Sequence, residues 1–555
     1  MAPRATRSNA APKTTAPTAT NKAGVKKGST ATAAATRAKR TPATKPDVDE
    51  GAPSRKAKAP AKTTTTTKRA TKPRKKEAAS PTPEAAPAKK NVGRKRKAVD
   101  EEEKSAEPKP KKARVVKAPV TRKPKPKVVI NKAPTKKLNV FVCGEGGQGE
   151  LGLGTAKNAV DVKRPRLNPL LAADNLGVVQ VATGGMHCVA LTRNNNILTW
   201  GVNDQGALGR NTAWEGGLKD IDAKSDADSE DEDSGLNPRE ATPYSIPAES
   251  FPEGTVFVEV AAGDSSSFAL TDDGFVYGWG TFRGNEGILG FDANTPIQTT
   301  PTLIPGLKKI THIACGDNHV LALDTRGAVF AWGSGQQNQL GRRIIERNKL
   351  NGLQPREFGL PKNITHVGCG SFHSFAIHKS GKVYAWGLNS YCETGIEQGS
   401  GDDEAVVLRP TVVESLQDKE IVQIAAGSHH SLARTADGKC LVWGRIDGCQ
   451  SGIKVDSLPE SAVIKDDRGR ARILFEPTVV PNINAAHIAA GADHSIAIDT
   501  DGKAWTWGFS ANYQTGQGTD DDIEVATMID NTAVRNTKLT GAGAGGQFSV
   551  FTSAA

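Results

Sequence analysis

Short apolar runs bounded by glycine or polar turns recur along the chain from about residue 138 onward. In residues 373–387, HSFAIHKSGKVYAWG, two β-rich runs flank Lys379-Ser380-Gly381, and other copies turn at Asp437-Gly438 and Asp501-Gly502. This pattern is typical of β-hairpins, because glycine reaches the positive φ that tight turns need. Each hairpin follows another apolar run, such as ITHIACG, and precedes an irregular fourth segment. Four short strands repeated every 50 to 60 residues or so predict the blades of a β-propeller.

The spacing of glycines separates a constant hairpin from variable connections. Seven runs end in a glycine that opens a polar loop, namely Gly144, Gly201, Gly280, Gly333, Gly387, Gly444 and Gly508. Six of these follow another glycine by seventeen residues, and the upstream glycines are Gly184, Gly263, Gly316, Gly370, Gly427 and Gly491. The loop glycines themselves are 53 to 79 residues apart, so insertions fall outside the seventeen-residue unit.

The two ends of the repeat region complement each other. Gly545 has no loop glycine after it, and Gly144 has no upstream glycine. We therefore expect the C-terminal strand to pair with residues 138–143 in one blade and to cover sheet edges that would otherwise invite aggregation. The predicted fold is all-β: a seven-bladed propeller of four-stranded blades over residues 138–555, closed by pairing of the N- and C-terminal strands.

Residues 1–137 differ in kind from the repeats. They hold 39 Lys and Arg against 10 Asp and Glu and contain no aromatic residue. Such a segment buries too little apolar surface to offset its chain entropy, so we expect a disordered basic tail. Subtracting its charge of +29 from the whole-chain +13 leaves −16 for the propeller. A flexible polycation favours polyanions, and nucleic acid is the expected partner of the tail.

Two basic clusters in the tail resemble the halves of a bipartite nuclear import signal. They comprise Arg94, Lys95, Arg96 and Lys97 in the first cluster and Lys109, Lys111, Lys112 and Arg114 in the second. The alternative is that these residues only add solubilising charge. A membrane span or secretory signal is not expected, because no run of 18 apolar residues occurs and no apolar segment follows the N-terminus.

Two insertions interrupt the predicted blades. Residues 215–240 hold ten acidic and three basic residues, which predicts a solvated acidic loop that either competes with DNA for the tail or acts as a spacer. Residues 342–356 form a basic loop on an otherwise acidic body, and such a loop favours an acidic surface. Its cationic side chains are Arg342, Arg343, Arg347, Lys349 and Arg356.

Cofactor and metal sites are not expected. Residues 144–149 match the G-x-G-x-x-G spacing, but the same loop recurs in other repeats and lacks the required helix context. The seven cysteines are scattered without a C-x-x-C pair, which favours reduced thiols. The repeat histidines, in separate blades, cannot converge on one ion, so we expect each to be buried and bonded to backbone. They are His187, His319, His373, His430 and His494.

The position just before the repeat histidine varies in chemistry. Its occupants are Met186, Ser265, Asn318, Phe372, His429, Asp493 and Gln547. A variable position beside glycines that turn the backbone sharply indicates either a binding face at one end of the ring or an ordinary solvated surface.

The repeated A-x-G-x-x-H-x-x-A-L and W-G…L-G segments resemble the regulator of chromosome condensation family over residues 138–555. Members of this family are chromatin-bound guanine-nucleotide exchange factors for the small GTPase Ran. The resemblance implies a monomer that speeds nucleotide release without covalent chemistry, so the protein is not expected to be an enzyme in that sense. It also implies a nuclear, chromatin-associated protein whose partners are Ran, histones and DNA.

The resemblance also implies specific site residues. Residues 282–289, FRGNEGIL, match the family's β-wedge, in which Phe282, Arg283, Asn285 and Glu286 would contact the GTPase. Two further family positions are Asp264 and His429. A third family position, an Asp before the repeat histidine, is Asn318 here, and the adjacent Asp317 is its alternative. Two other family positions, an Asp and a His, depart to Gly147 and Phe548.

The implied mechanism is competition: the wedge and these side chains stabilise the nucleotide-free GTPase. The basic loop and the tail would anchor the opposite face to the acidic patch of the nucleosome and to DNA. The departures leave open a chromatin-binding scaffold without exchange activity. A light sensor of the same fold is less favoured, because it needs clustered extra tryptophans and only Trp214 and Trp505 are spare.

Overall fold

Seven four-stranded antiparallel sheets surround a central channel in the described part of the chain. The computed structural model describes residues 127–216 and 234–555. The first blade combines both ends of the repeat region: strand β1 (Leu138–Glu145) pairs with β2 (Asp161–Leu167) and with the C-terminal strand Phe548–Ala554. Leu138 lies opposite Ala554 and Gly144 opposite Phe548, so the predicted closure of the ring is confirmed.

The remaining strands follow in chain order, blade by blade. The second blade contains β3 (Val178–Thr183), β4 (His187–Thr192), β5 (Ile197–Gly201) and β6 (Tyr244–Ser245). The third contains β7 (Phe257–Ala262), β8 (Ser266–Thr271), β9 (Val276–Gly280) and β12 (Gln298–Leu303), with a separate hairpin of β10 (Phe282–Gly284) and β11 (Gly287–Gly290). The fourth contains β13 (Ile310–Cys315), β14 (His319–Asp324), β15 (Val329–Gly333) and β16 (Arg356–Glu357).

The last blades share one long strand. The fifth blade contains β17 (Ile364–Cys369), β18 (His373–His378), β19 (Val383–Leu388) and β20 (Val406–Val412). The sixth contains β21 (Ile421–Ala426), β22 (His430–Thr435), β23 (Lys439–Arg445) and the first half of β25 (Ala471–Ala490), to which β24 (Val463–Lys465) adds an edge. The second half of β25 forms the seventh blade with β26 (His494–Asp499), β27 (Ala504–Gly508) and β28 (Ile523–Met528), and β29 (Leu539–Ala544) and β30 (Phe548–Ala554) return to the first.

Helical segments are short and lie in connections. The α-helix α1 spans Pro238–Ala241, and the 3-10 helices span Lys157–Ala159, Pro169–Leu171, Ala248–Ser250, Glu346–Leu353, Glu414–Leu416, Val455–Ser457 and Glu460–Ala462. Among the described residues, none of these helices has the length and apolar character needed to cross a membrane. Most of the predicted acidic insertion, residues 217–233, lies outside the described residues.

The repeat glycines lie where neighbouring blades approach most closely. A Cβ on Gly370 would lie 2.7 Å from the carbonyl oxygen of Gly427, and one on Gly491 would lie 2.6 Å from that of Gly545. The inner strand of each blade ends at this position, so the glycines together form one mouth of a channel of about 370 Å³. The same Cβ atoms would lie still closer to Cε1 of His373 and of His494 in their own blades, so packing both within and between blades requires glycine here.

Buried histidines join consecutive blades through serine hydroxyls. His373 Nε2 lies 2.8 Å from Ser431 Oγ of the next blade, and Ser431 donates to the Glu393 carbonyl at 2.8 Å. The same carbonyl accepts from the Trp443 indole at 2.9 Å. The expectation that the histidines bond to backbone is thus wrong for Nε2, whose partner in each pair is a serine hydroxyl of the next blade. The other pairs are His187–Ser267, His319–Ser374, His430–Ser495 and His494–Ser549.

The last part of the predicted tail packs on the propeller. The Ile130 and Asn131 amides donate to the Asp272 carbonyl at 2.8 and 2.9 Å, and the Asn131 side chain donates to the Thr271 and Ile310 carbonyls. Lys127 forms a 2.6 Å ion pair with Asp272. Residues 127–131 therefore differ from the disordered tail predicted for 1–137, because Lys127, the Ile130 amide and the backbone and side chain of Asn131 all bond to the propeller, while Val128 and Val129 stay exposed. Residues 1–126 lie outside the described residues.

Candidate functional site at one end of the propeller

All the predicted exchange residues lie at the same end of the ring. In each blade the first strand ends, the second begins and the third ends at the glycine mouth of the channel, so loops from different blades meet there. We call this the glycine end. Asp264, Asp317, Asn318 and His429 occupy loops between first and second strands, and the hairpin β10–β11 follows the third strand of its blade. The hairpin turns between second and third strands, with Asp272 and the contacting residues 127–131, lie at the other end.

Asp264 and Asp317 form an acidic pair beside the channel mouth. The Asp264 amide donates to the Asp317 carbonyl at 2.8 Å, and Ser265 Oγ donates to the Asp264 carboxylate at 3.0 Å. Burial at the mouth, reinforced by the Asp264 charge, raises the pKa of Asp317 to about 6, while Ser371 and His429 act in the opposite direction. The channel mouth therefore carries the partly exposed carboxylate of Asp264 and the carboxyl group of Asp317, which binds its proton more tightly than an ordinary aspartate.

Asn318 supports the hairpin. Its side-chain oxygen accepts from the Arg283 amide at 2.6 Å, at the base of β10. The neighbouring Asp317 faces the channel mouth instead. The two alternatives for the family's acidic position thus lie side by side with different contacts: Asn318 fixes backbone, and Asp317 contributes charge.

The hairpin β10–β11 has a buried base and an exposed tip. Phe282 is fully buried and stacks between Phe268 and Phe291, with ring centroids 6.2 and 6.3 Å away. The prediction that Phe282 contacts a GTPase directly is therefore wrong, because its ring belongs to the core and anchors the hairpin. The exposed side chains are Arg283, Asn285, Glu286 and Ile288. The Asn285 amide also donates to Gln336 at 2.7 Å, which braces the tip against the next blade.

The basic loop lies next to this hairpin. Lys349 forms ion pairs with Glu286 of the hairpin and, at 3.1 Å, with Glu346. The prediction that the loop lies on the face opposite the wedge is wrong, because both segments follow third strands of adjacent blades and leave the ring at the glycine end.

Arg342 of the same loop hydrogen-bonds to the backbone of its own blade. It donates to the carbonyls of Ala331 and Gln354 at 3.1 and 3.2 Å, and burial lowers its pKa to about 10. The side chains of Arg343, Arg347 and Arg356 are exposed. These three therefore remain the candidates for contact with an acidic partner.

His429 has partners that the sequence did not predict. Its Nδ1 lies 2.9 Å from the carboxylate of Glu393, a residue with no exposed surface, while the His429 side chain is 26 % exposed. The Tyr391 ring lies 4.9 Å from the imidazole and accepts a hydrogen bond from Arg472 at 2.8 Å through its hydroxyl. The signal for Glu393 was present: the equivalent loop position is Gln339, Gln450 and Gln514 in other blades.

The two positions that depart from the family pattern, Phe548 and Gly147, lie in the closing blade. Phe548 occupies the repeat-histidine position in the closing blade and is buried. Gly147 lies in the loop after β1, which leads through turns to the 3-10 helix Lys157–Ala159.

All seven cysteines are free thiols, and no group of three or more metal-ligating side chains converges within residues 127–216 and 234–555. The import-signal residues, 94–97 and 109–114, lie outside the described residues.

Comparison with known proteins places this geometry in context. The model of the RCC1-like domain family matches residues 139–551. A Saccharomyces cerevisiae protein named guanine nucleotide exchange factor SRM1 is 45% identical over 422 residues, which cover 74% of this chain and 86% of that protein.

Two solved structures show the same similarity. The crystal structure of Prp20p from Saccharomyces cerevisiae, described with its binding properties to Gsp1p and histones, has a TM-score of 0.70 and 41% identity over 77% of this chain and 95% of that chain. A second structure, Kap60 bound to yeast RCC1 (Prp20), also has a TM-score of 0.70 and 41% identity and covers 80% and 96%.

Proposed function

The chain belongs to the RCC1-like domain family, and from that premise we propose that it is a chromatin-tethered guanine-nucleotide exchange factor for the small GTPase Ran. The observation that carries the proposal is the rigid hairpin β10–β11, fixed beside Asp264, Asp317 and His429 at one end of the ring. Relatives with this fold are named as an exchange factor and as a binder of Gsp1p.

The physical task of such a factor is to offset nucleotide binding. Small GTPases hold nucleotide at roughly picomolar affinity, about 16 kcal/mol, mostly through phosphates and Mg²⁺. In this proposal the exposed tip, Arg283 to Ile288, occupies the phosphate-binding region, and its base is held in place by Phe282 and Asn318. Acidic side chains at the channel mouth then bind basic groups that the departing phosphates leave unpaired. The protein favours neither GDP nor GTP, so nucleotide concentrations set the direction of loading.

The same end also carries the chromatin contacts that we propose for the basic loop. Arg343, Arg347 and Arg356 are exposed on an acidic body and suit the acidic patch of a nucleosome. Prp20p is described as binding histones. Since the loop touches the hairpin through Lys349 and Glu286, GTPase and nucleosome would approach from neighbouring directions.

The tail supplies nonspecific DNA binding and nuclear import in this proposal. Residue 127 lies at the end of the ring away from the hairpin, where Lys127 pairs with Asp272. Yeast RCC1 was solved bound to Kap60, which supports an import signal within the basic tail. We place the protein in the nucleus, on chromatin.

The test is release of fluorescent GDP from Ran by catalytic amounts of the full-length protein. We expect release to accelerate by several orders of magnitude, and a variant lacking residues 1–126 should retain this activity while losing salt-sensitive DNA binding. The alternative, a chromatin-binding scaffold without exchange activity, predicts intact nucleosome binding with GDP release at the intrinsic rate. That second result would exclude the proposed function.

A further inference from the structure

In five blades, one position of the polar loop places a polar side chain beside the next blade. It is the sixth residue after the loop glycine, and its occupants include Glu150, Gln339, Glu393, Gln450 and Gln514. One side-chain oxygen of each accepts from the amide two residues earlier, at 2.8 to 2.9 Å. The second polar atom of each side chain is then available to bond to the residue before the repeat histidine in the next blade.

In two of these loops the remaining atom has a chemically complementary partner. Gln450 donates its amide Nε2 to the Asp493 carboxylate at 2.9 Å. Glu393, one blade earlier, places its carboxylate Oε1 2.9 Å from Nδ1 of His429. An amide therefore faces an acceptor, and a carboxylate faces a group that can donate.

The carboxylate of Glu393 dictates which imidazole nitrogen carries hydrogen. An ionised carboxylate only accepts hydrogen bonds, so the hydrogen lies on Nδ1 of His429. Nε2 makes no hydrogen bond within the described residues, and the His429 side chain is partly exposed. The nitrogen without a partner is thus the one left for a binding partner at the glycine end.

Neighbouring side chains hold the ring in this orientation. Tyr391 lies 4.9 Å from the imidazole on one side, and Phe372 lies 6.3 Å away. Tyr391 is itself fixed by Arg472, whose guanidinium lies 4.8 Å from the tyrosine ring. Asp317, His373 and His430 are the other titratable groups whose charges couple to His429.

We propose that Glu393 is a positioning residue for nucleotide exchange, which fixes the imidazole tautomer and orientation of His429 so that Nε2 faces the GTPase. This inference rests on the proposed function. Glutamine at position 393 would use its oxygen for the Tyr391 amide, as the other glutamines do, and would turn its NH₂ group toward Nδ1. The hydrogen would then move to Nε2, and His429 would present a donor where the native protein presents an acceptor.

The test compares Glu393→Gln with Glu150→Gln in the full-length chain. Glu150 occupies the equivalent position in the closing blade, and the residue before the repeat histidine of the next blade is Met186, so the same chemical change meets no imidazole there. We expect Glu393→Gln to lower kcat for GDP release about tenfold with KM within about twofold, and Glu150→Gln to leave both unchanged. Long-range ¹H–¹⁵N spectra of ¹⁵N-histidine protein, assigned with His429→Gln, should show hydrogen on Nδ1 in the native protein and on Nε2 in Glu393→Gln.

A double variant distinguishes positioning from simple packing. Glu393→Gln with His429→Asp reproduces the Gln450–Asp493 pair, so we expect thermal stability close to wild type while release stays low. Recovery of release in the double variant, native kinetics in Glu393→Gln, or reduced kinetics with an unchanged tautomer would each overturn the inference. If the wild-type protein itself fails to release GDP, the proposed function falls together with any role of Glu393 in it, although the spectra would still report the tautomer.

Discussion

At the scale of single residues, Asp264 and Asp317 place two acidic side chains next to each other, in loops of adjacent blades. Two carboxylates lie beside one another where the backbone amide of the first binds the carbonyl of the second. Since burial is the larger cause of the raised pKa of Asp317 and Asp264 the smaller, removing the Asp264 charge should relieve only part of the shift.

Replacing Asp264 with Asn tests both its charge and its proposed role. We expect GDP release to slow at least about tenfold, because the contact that we propose between this carboxylate and the nucleotide-free GTPase is lost. The pKa of Asp317 should fall from about 6 but stay above its ordinary value, which ¹³C titration of the carboxyl would show. Asp501→Asn, an exposed change at the other end of the ring, is the control. Unchanged release by Asp264→Asn would remove this residue from the site.

The inter-blade glycines make a second prediction at this scale. Gly370→Ala would force a Cβ to within 2.7 Å of the Gly427 carbonyl oxygen and still closer to Cε1 of His373, which should destabilise the protein by about 3 kcal/mol. Gly359→Ala is the matched control, since nothing lies within 4 Å of its added Cβ. Urea unfolding of both variants measures the difference, and equal stabilities would contradict the packing explanation for the repeat glycine.

At the scale of elements, the hairpin β10–β11 has a buried anchor and an exposed tip. Phe282 is buried between two phenylalanine rings, whereas Ile288 is 52 % exposed at the tip. Stability and exchange should therefore respond to different positions in the same short segment.

Phe282→Ala and Ile288→Ser test that separation. Loss of the buried ring should cost about 3 to 5 kcal/mol of unfolding free energy and also reduce GDP release, because the tip loses its fixed position. Ile288→Ser should leave the unfolding free energy within about 0.5 kcal/mol of wild type and still slow release. If Ile288→Ser releases GDP at the wild-type rate, the tip is not the contact surface.

The regular elements were more predictable from sequence than their connections. A seventeen-residue spacing identified the hairpins, because the period of apolar residues and the turn glycines act locally. Contacts between distant residues were missed: residues 127–131 dock on a turn near residue 272, and Lys349 joins the basic loop to the hairpin. Phe282 was assigned to the surface because a family resemblance gives the position of a residue but not its exposure.

The histidine partners show a signal that the sequence did contain. Ser266 replaces the repeat histidine in the third blade, and Phe548 replaces it in the closing blade. The residues that would face them in the next blades are Val320 and Cys188, where the other blades have serine. Histidine and serine therefore change together around the ring, which a comparison between adjacent repeats could have revealed.

At the scale of the whole molecule, the histidine contacts make stability depend on pH. Burial lowers the pKa of His187 and His430 to about 4 and of His319 and His494 to about 3, and it lowers that of His373 as well. Unfolded histidine binds a proton near pH 6.5, so between that pH and the folded-state pKa the unfolded chain holds more protons. These groups therefore destabilise the native state progressively as pH falls through this window.

The expected result is a fall in unfolding free energy from pH 7 to pH 5. Asp317 and Glu150, whose folded-state pKa values are raised to about 6 and 7, oppose the trend because their native forms bind protons first. His366 and His487 also have lowered pKa values, whereas, despite partial burial, the ion pair with Glu259 raises the pKa of His312. The imidazoles with lowered pKa values therefore outnumber the three groups with raised ones, and each proton in excess contributes about 1.4 kcal/mol per pH unit. Urea unfolding across this range measures the slope.

A double variant provides the control for this slope. His494→Phe with Ser549→Cys copies the natural Phe548 and Cys188 pairing and removes one titrating imidazole. Its slope should be shallower by about one proton. Stability that is constant or rises toward pH 5 in the native protein would contradict neutral burial of these histidines.

An exchange factor must bind the nucleotide-free GTPase more tightly than the GDP-bound form. The measurement is the binding affinity of the full-length protein for Ran with GDP bound and for Ran stripped of nucleotide, by titration at fixed salt and Mg²⁺. We predict that the nucleotide-free form binds tighter by several orders of magnitude and that added GDP or GTP dissociates the complex equally well. Equal affinity for both forms, or a complex that nucleotide does not dissociate, would contradict the account.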